Sequence, residues 1–384
     1  MFFWVGFYGL SVIAVFAAFY VKENQLKYIT SLYAFLIFFV SAFRYMIGSD
    51  YDAYTEIYAT SITSVDELFE FGHEPLFDML ILTLNELGFS AQMLFVVMSG
   101  ITIYFIYYGV RAHLSSERSI LLVLVLYTTF FTAGGYWSCF NLIRQAAAMS
   151  ILVYAARYIV NNSFLKFLCF ILLAMGFHYS AIIFLPFYWI AKIKISPRSM
   201  MIGTIFSLLI TVTGVSVKLF LLFIPFFSEL YGKYLSAALN VTAGVSGFSF
   251  MTIGLYLMFC VCLYVYSRNT AVDKLTMLAF SYMVLRILFS ISVEGNPAIT
   301  MIIHRFEIYF LLFYLIFLVR GVEAAAQQNY GRPFLCCSMM LLSAVFSFLM
   351  IYQLYQGAND PINQMLPSLS AGNYRYEFNF RLFQ

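Results

Sequence analysis

Apolar residues run in stretches of roughly 15 to 20 along most of the chain, broken by short polar clusters. A helix needs about 20 apolar residues to cross the hydrocarbon of a bilayer, where no water satisfies an open backbone group. Twelve stretches are predicted as spans: 2–21, 28–47, 91–110, 119–136, 141–160, 164–178, 180–195, 199–215, 250–267, 275–293, 299–320 and 333–353. The pair 164–178 and 180–195 is short, and Pro186 should kink or thin the second. Residues 75–88 are too few to span. Their polar positions Asp78, Asn85 and Glu86 recur at offsets of seven and eight, which suits an interfacial or re-entrant helix on the outer surface. The expectation is an all-α polytopic membrane protein forming one transmembrane domain over 1–384, with outer loops at about 48–90 and 216–249.

Charge sets the orientation. No Lys or Arg precedes the first span, whereas Lys22 and Lys27 follow it, so the positive-inside rule puts the amino terminus outside. Alternating from there gives the cytoplasmic side Lys22, Lys27, Arg111, Arg118, Arg157, Lys166, Lys192, Lys194, Arg198, Arg268, Lys274, Arg320 and Arg332. These are thirteen of the 21 basic residues, and only Glu23, Glu117, Asp273 and Glu323 of the 18 acids join them. Counting 75–88 as a span would send Arg111 and Arg118 outside and invert all that follows. The register is self-consistent with both termini outside.

Composition agrees with the pattern. The 384 residues are 63% hydrophobic and 10% charged, with mean hydropathy +0.87, which excludes a soluble enzyme, a secreted module and a disordered chain. A net charge of +3 implies no nucleic-acid partner. The six cysteines lack metal-ligand or disulfide-framework spacing, so no metal site is read from them.

The expensive charges are the candidates for chemistry. An arginine at mid-bilayer costs about 3 kcal/mol on insertion scales, and Arg44, Arg144, Arg286 and Arg305 all fall within predicted spans. With His178 and His304 they gather in the outer half, and the inner half has no comparable set. Snorkelling or pairing with Glu294 or Glu307 would account for any one of them. A shared anion accounts for the group, because guanidinium presents a planar fork matched to phosphate and keeps its charge at low dielectric. The outer segment from Gly48 to Glu74 adds Asp50, Asp52, Glu56, Asp66, Glu67, Glu70 and Glu74. These carboxylates could form a solvated loop, hold a divalent cation through Asp50, Asp52 or Glu74, or take a proton from a substrate hydroxyl. The interleaved Tyr45, Tyr51, Tyr54 and Tyr58 suit an aromatic belt or sugar stacking.

The order of these residues is also a pattern: Arg44-x-x-x-Gly48-x-Asp50-x-x-x-Tyr54, then Glu74-Pro75, Asn141-x-x-Arg144-Gln145, Phe177-His178-x-Ser180 and Arg305-x-x-x-Tyr309. From Arg44 to Tyr309 the chain resembles the EpsG branch of the Wzy-type polysaccharide polymerases. The resemblance implies a multi-span, GT-C-like glycosyltransferase on the outer side of the bacterial cytoplasmic membrane. Such an enzyme joins repeat units carried on undecaprenyl pyrophosphate, releases undecaprenyl pyrophosphate, and needs no metal or other cofactor. Its partners would be lipid-linked glycans, membrane lipids and a chain-length regulator protein.

On that reading Arg144 and Arg305, then Arg44 and Arg286, bind pyrophosphate, Arg286 being also a candidate for a structural role. His178, Asp50 or Glu74 acts as base, the imidazole having the advantage of titrating near working pH. Asn141, Gln145, Tyr54, His304 and Tyr309 orient substrate; Asn141 and Gln145 are expected on the Arg144 face at offsets of three and four. The rivals are a flippase or transporter of lipid-linked oligosaccharide, which should line both membrane halves with polar groups, and another outward-facing transferase or ligase.

Overall fold

The computed structural model describes residues 2–48, 50–60, 74–130, 135–213, 243–245, 250–268, 270–289, 291–293, 305–327, 331–359, 377–378 and 382. His304, Glu294 and most of 216–249 lie outside these residues. The described chain is dominated by helices: α1 Phe2–Tyr20, α2 Glu23–Ala42, α3 Tyr51–Thr60, α4 Pro75–Glu86, α5 Ala91–His113, α6 Glu117–Thr129, α7 Ser138–Asn141, α8 Ile143–Val160, α9 Phe164–Phe177, α10 Phe187–Ile190, α11 Pro197–Thr213, α12 Phe250–Ser267, α13 Lys274–Phe289, α14 Ile308–Gln327 and α15 Arg332–Asn359. Short strands accompany them: β1 Arg44–Tyr45 pairs antiparallel with β4 Glu377–Phe378, and β2 Ala243–Val245 with β3 Ile291–Val293.

Among the described residues, four helices are long and apolar enough to cross a membrane: α1, α2, α5 and α14. Shorter apolar helices occupy most of the other predicted stretches. An all-α, multi-pass membrane architecture follows, but the expected count of twelve spans does not. Several predicted spans also change: 119–136 is helical only to Thr129, and 275–293 only to Phe289, ahead of β3. The stretch 28–47 is helical only as Glu23–Ala42, because the chain leaves the helix at Phe43 and places Arg44 on β1. The stretch 180–195 is a 3-10 helix at Tyr179–Phe184 followed by the four-residue α10, on either side of Pro186, which has no N–H to continue a ladder. The stretch 299–320 is a helix at Ile308–Gln327, so Arg305, itself helical, stands ahead of the turn at Phe306 and Glu307 that precedes α14 and not inside that helix.

The chain divides into two compact units, Met1–Tyr188 with Tyr330–Gln384, and Trp189–Asn329. The first is built around α6, whose residues Ser119–Thr129 are all buried. A helix that is apolar all round belongs in a core, and its few hydroxyls are satisfied locally or across helices. Thr129 donates to the Val125 carbonyl at 2.9 Å. The Tyr33 hydroxyl bridges Ser11 on α1 at 2.8 Å and Thr128 on α6 at 2.5 Å, the kind of interhelical bonding that holds membrane bundles together. In the second unit α14 has the same central place, with Ile308 to Val319 buried.

Contacts sort the helix ends of the first unit. At one end Arg118 donates to the Ala18 carbonyl at 2.6 Å, Glu23 accepts from Ser116, and Arg111 pairs with Glu117. At the other end the Trp4 and Trp137 rings stand 5.1 Å apart, Gln92 donates to the Ala42 carbonyl, β1 pairs with β4, and the Ser90 N–H donates to the Leu382 carbonyl at 2.8 Å. Helices α1, α2, α5 and α6 therefore alternate in direction. Helix α4 begins and finishes at the β1 end, as expected for a segment that does not span. Two of its three polar positions face protein, however: Asp78 is buried and Asn85 donates to the Tyr58 carbonyl at 3.0 Å, while Glu86 is exposed.

Candidate active site

Glu74 occupies the residue before α4, and the following Pro75 restricts it to extended backbone, observed at φ −100° and ψ 96°. Its carboxylate makes no cap on its own helix. Instead it takes two partners from other helices. Oε2 accepts from Arg144 Nη1 at 2.8 Å, and Oε1 pairs with His178 Nδ1. Arg144 lies in the first turn of α8, directly after a break at Leu142 (φ −119°, ψ 50°) that separates α7 from α8. A cation there adds to the positive end of the helix dipole, so the position favours an anion. His178 closes α9 in extended backbone, with its N–H on the Ala174 carbonyl, just before the 3-10 turn.

Exposure separates the three roles. The Glu74 side chain is 7% exposed, while Arg144 and His178 are 35% and 28% exposed. A ligand would therefore meet guanidinium and imidazole, with the carboxylate sealed behind them. Nδ1–H donating to Glu74 fixes the tautomer that carries the lone pair on Nε2. Behind Arg144 lie aromatic rings, with its guanidinium carbon 5.9 Å from the Tyr54 ring centre and 5.3 Å from that of Phe77. Burial pushes the Tyr54 phenol above its ordinary range, with Arg144 opposing and the Asp50 and Glu74 charges adding to the rise. Tyr54 is thus a neutral hydroxyl at working pH.

Two glycines make these approaches fit. A Cβ on Gly176 would lie 2.5 Å from both Cγ and Cδ1 of Leu76, so only glycine lets α9 close onto the first turn of α4, two residues from His178 and two from Glu74. Gly48, at φ +105°, would place a Cβ 2.5 Å from the Phe140 carbonyl oxygen; the positive φ and the contact both demand glycine.

Arg44 is not where the sequence pattern suggested. It is fully buried, donating from Nη1 to the carbonyls of Cys139 at 2.7 Å and Ser41 at 3.2 Å, and from Nη2 to Phe140 at 3.1 Å. Its guanidinium carbon also sits 4.4 Å from the centre of the Phe95 ring. No surface remains to meet a phosphate; Arg44 and Gly48 instead fasten α7, and so the start of α8 that carries Arg144.

The other expected residues divide similarly. Asn141 is half-buried on α7, and the break at Leu142 removes the expected common face with Arg144. Gln145, Tyr54 and Tyr309 are buried at 3%, 5% and 0% exposure, so none presents a face to a sugar. Asp50 is half-exposed, and its carbonyl accepts the Tyr54 N–H at 2.9 Å. In the second unit Arg286 is buried, pairing with Glu307 at 2.7 Å and with the Tyr282 hydroxyl at 2.9 Å, which answers for it structurally. Arg305 is half-exposed, just ahead of the turn at Phe306 and Glu307. Sequence reasoning passed over Gly176 and Phe77. A glycine inside an apolar helix directly before Phe177-His178 was the available signal for the first.

The fold and this site define a multi-pass α-helical membrane protein that brings an arginine and a histidine together on one shared carboxylate. The family model described as the EpsG family matches residues 27–365, and the chain belongs to that family. Membership carries a polysaccharide-polymerase-like, glycosyltransferase-like function. No curated protein and no solved structure matches the chain.

Proposed function

We propose that this chain is a polysaccharide polymerase of the bacterial cytoplasmic membrane. It joins repeat units carried on undecaprenyl pyrophosphate at the outer surface, within a single transmembrane domain whose termini both face outside. The observation that carries the reading is Glu74, one sealed carboxylate holding a half-open guanidinium and a half-open imidazole. Glycosyl transfer needs both groups. A bond forms between the acceptor hydroxyl oxygen and the anomeric carbon while the bond from that carbon to the pyrophosphate oxygen breaks. The hydroxyl proton passes to His178 Nε2, and the electron pair leaves on the pyrophosphate, whose growing charge the fork of Arg144 stabilises. Glu74 holds the imidazole in orientation and balances the imidazolium that forms. Asp50 and Glu74 are the alternative bases, and Asp50 stands nearer the protein surface. On the sequence pattern, Arg305 is a phosphate ligand as well, and His304 beside it an orienting residue. No metal or cofactor enters this chemistry; lipid-linked glycans, membrane lipids and a chain-length regulator are the partners.

The outward orientation rests on the charge pattern. The end of the first unit opposite Glu74 carries Lys22, Arg111 and Arg118 close to helix ends, as a cytoplasmic face would. A flippase or transporter of lipid-linked oligosaccharide is the second reading, since it would also bind a lipid pyrophosphate; an outward-facing ligase is another. Complementing a deletion strain separates them. A polymerase gives a polymer ladder that is lost in the deletion while single repeats are still exported, whereas loss of export altogether would establish the flippase.

A further inference from the structure

Among the described residues, each compact unit holds one buried arginine close in sequence or in space to a half-open one. In the first unit Arg44 grips the α7 carbonyls ahead of Arg144. In the second, Arg286 on α13 reaches Glu307, whose backbone carbonyl accepts the Phe310 and Leu311 N–H groups at 3.1 and 3.3 Å and so begins α14. Glu307 accepts a second bond from the Tyr282 hydroxyl at 2.5 Å, and Tyr282 also accepts from Arg286. The platform beneath is held as well. The Met283 carbonyl on α13 accepts from Ser207 on α11 at 2.8 Å and from Tyr256 on α12 at 3.1 Å. Glu307, in the turn that directly follows Arg305, is therefore tied by its side chain to a helix that two further helices hold in place.

We propose that Tyr282, Arg286 and Glu307 are positioning residues for Arg305, fixing the turn that adjoins it and so the direction in which its guanidinium meets a lipid-linked pyrophosphate. This rests on the assignment of Arg305 as a phosphate ligand, and it moves Arg286 from ligand to support. A buried ion pair is a costly way to gain stability, because apolar residues of like volume usually do as well or better. What the polar set supplies that apolar residues cannot is direction. Two bonds converging on one carboxylate fix both the position and the rotation of the residue that starts α14.

The test separates direction from stability. Full-length protein in nanodiscs is titrated with undecaprenyl pyrophosphate and, as the uncharged control, undecaprenol, with melting temperature followed alongside. The triple variant Tyr282→Phe, Arg286→Met, Glu307→Leu keeps volume and removes the polar set. The expected result is a melting temperature near that of the parent, an affinity for undecaprenyl pyrophosphate weaker by about 10-fold or more, and unchanged affinity for undecaprenol. Tyr282→Phe alone, which changes no charge and covers the case in which the triple variant does not fold, should weaken pyrophosphate binding about threefold. Parent affinity in both folded variants, or in Tyr282→Phe alone if the triple does not fold, would overturn the proposal. Arg305→Gln distinguishes the two levels. If it weakens pyrophosphate binding while the positioning variants do not, the positioning role fails and the phosphate ligand stands. If Arg305→Gln itself binds as tightly as the parent, the ligand assignment fails, and the positioning role with it.

Discussion

Gly176→Ala tests the site through packing alone, leaving every charged and titratable group in place. The added Cβ would lie 2.5 Å from two carbons of Leu76, where ordinary carbon contacts begin near 3.5 Å. Something must therefore give by about 1 Å. Overpacking of this kind costs about 1 to 3 kcal/mol. The kinetic effect should exceed the effect on stability, because the strained contact lies two residues from each partner of the Glu74–His178 pair, and a 1 Å misplacement of catalytic groups can cost about 100-fold. Leu76 is half-exposed, so Leu76→Ala should be close to neutral alone and should restore the double variant in part, removing both 2.5 Å contacts and leaving its own Cβ at 3.1 Å. The assay is polymer formation in a complemented deletion strain at matched expression, followed by turnover of purified protein. Wild-type turnover by Gly176→Ala, or no rescue by Leu76→Ala, would show that the helix approach does not set the geometry of the pair.

Other outcomes follow from the same contacts. Arg144→Lys keeps the charge and loses the fork, and should slow turnover by about 30 to 1,000-fold, equivalent to roughly 2 to 4 kcal/mol; full polymer at matched expression would leave Arg144 a structural partner of Glu74. His178→Asn should lower turnover by about 100 to 10,000-fold with undecaprenyl pyrophosphate binding nearly unchanged; wild-type turnover would move the base to Asp50 or Glu74, which Asp50→Asn and Glu74→Gln then separate. Arg44→Met leaves three buried carbonyls without their donor at about 1 kcal/mol each, so it should lower the melting temperature well below that of Arg144→Met. Equal melting temperatures would contradict its role as a fastener.

Much of the helical order was legible because apolar runs in a membrane chain have few alternatives. The alternation of α1, α2, α5 and α6 follows from run length and the lysines and arginines that flank the runs. The places that departed from expectation are those where a side chain satisfies backbone groups at a distance. Nothing within 28–47 reveals that the helix stops at Ala42, since the cause lies about 95 residues on, in the carbonyls of Cys139 and Phe140 that Arg44 meets. Asn141 and Gln145 looked like neighbours of Arg144 because a continuous helix was assumed, and the break at Leu142 is visible only once that fastening is known. The pairing of Glu74 with both Arg144 and His178 spans separations of 70 and 104 residues. Motif order suggested those three residues, but no local pattern could join them.

Insertion cost singles out arginines in a membrane chain without saying what they are for, since the same expense can be met from within the protein or left for a ligand to meet. Arg44 and Arg286 are of the first kind. Their donors face carbonyls, a carboxylate and a phenol, and their surfaces are closed. Arg144 is of the second kind: its counter-ion is sealed, while about a third of its own side chain stays open. Guanidinium has five N–H donors in a fixed fork, so the bonds of Arg144 to the Glu74 carboxylate and the Tyr54 hydroxyl leave further donors for a phosphate. The distinction therefore lies in the exposure of the cation relative to its counter-ion, and the length of the motif that carries it does not decide it. Arg44 opens the longest motif and is closed off, whereas Arg144, in the shorter one, keeps an open side chain.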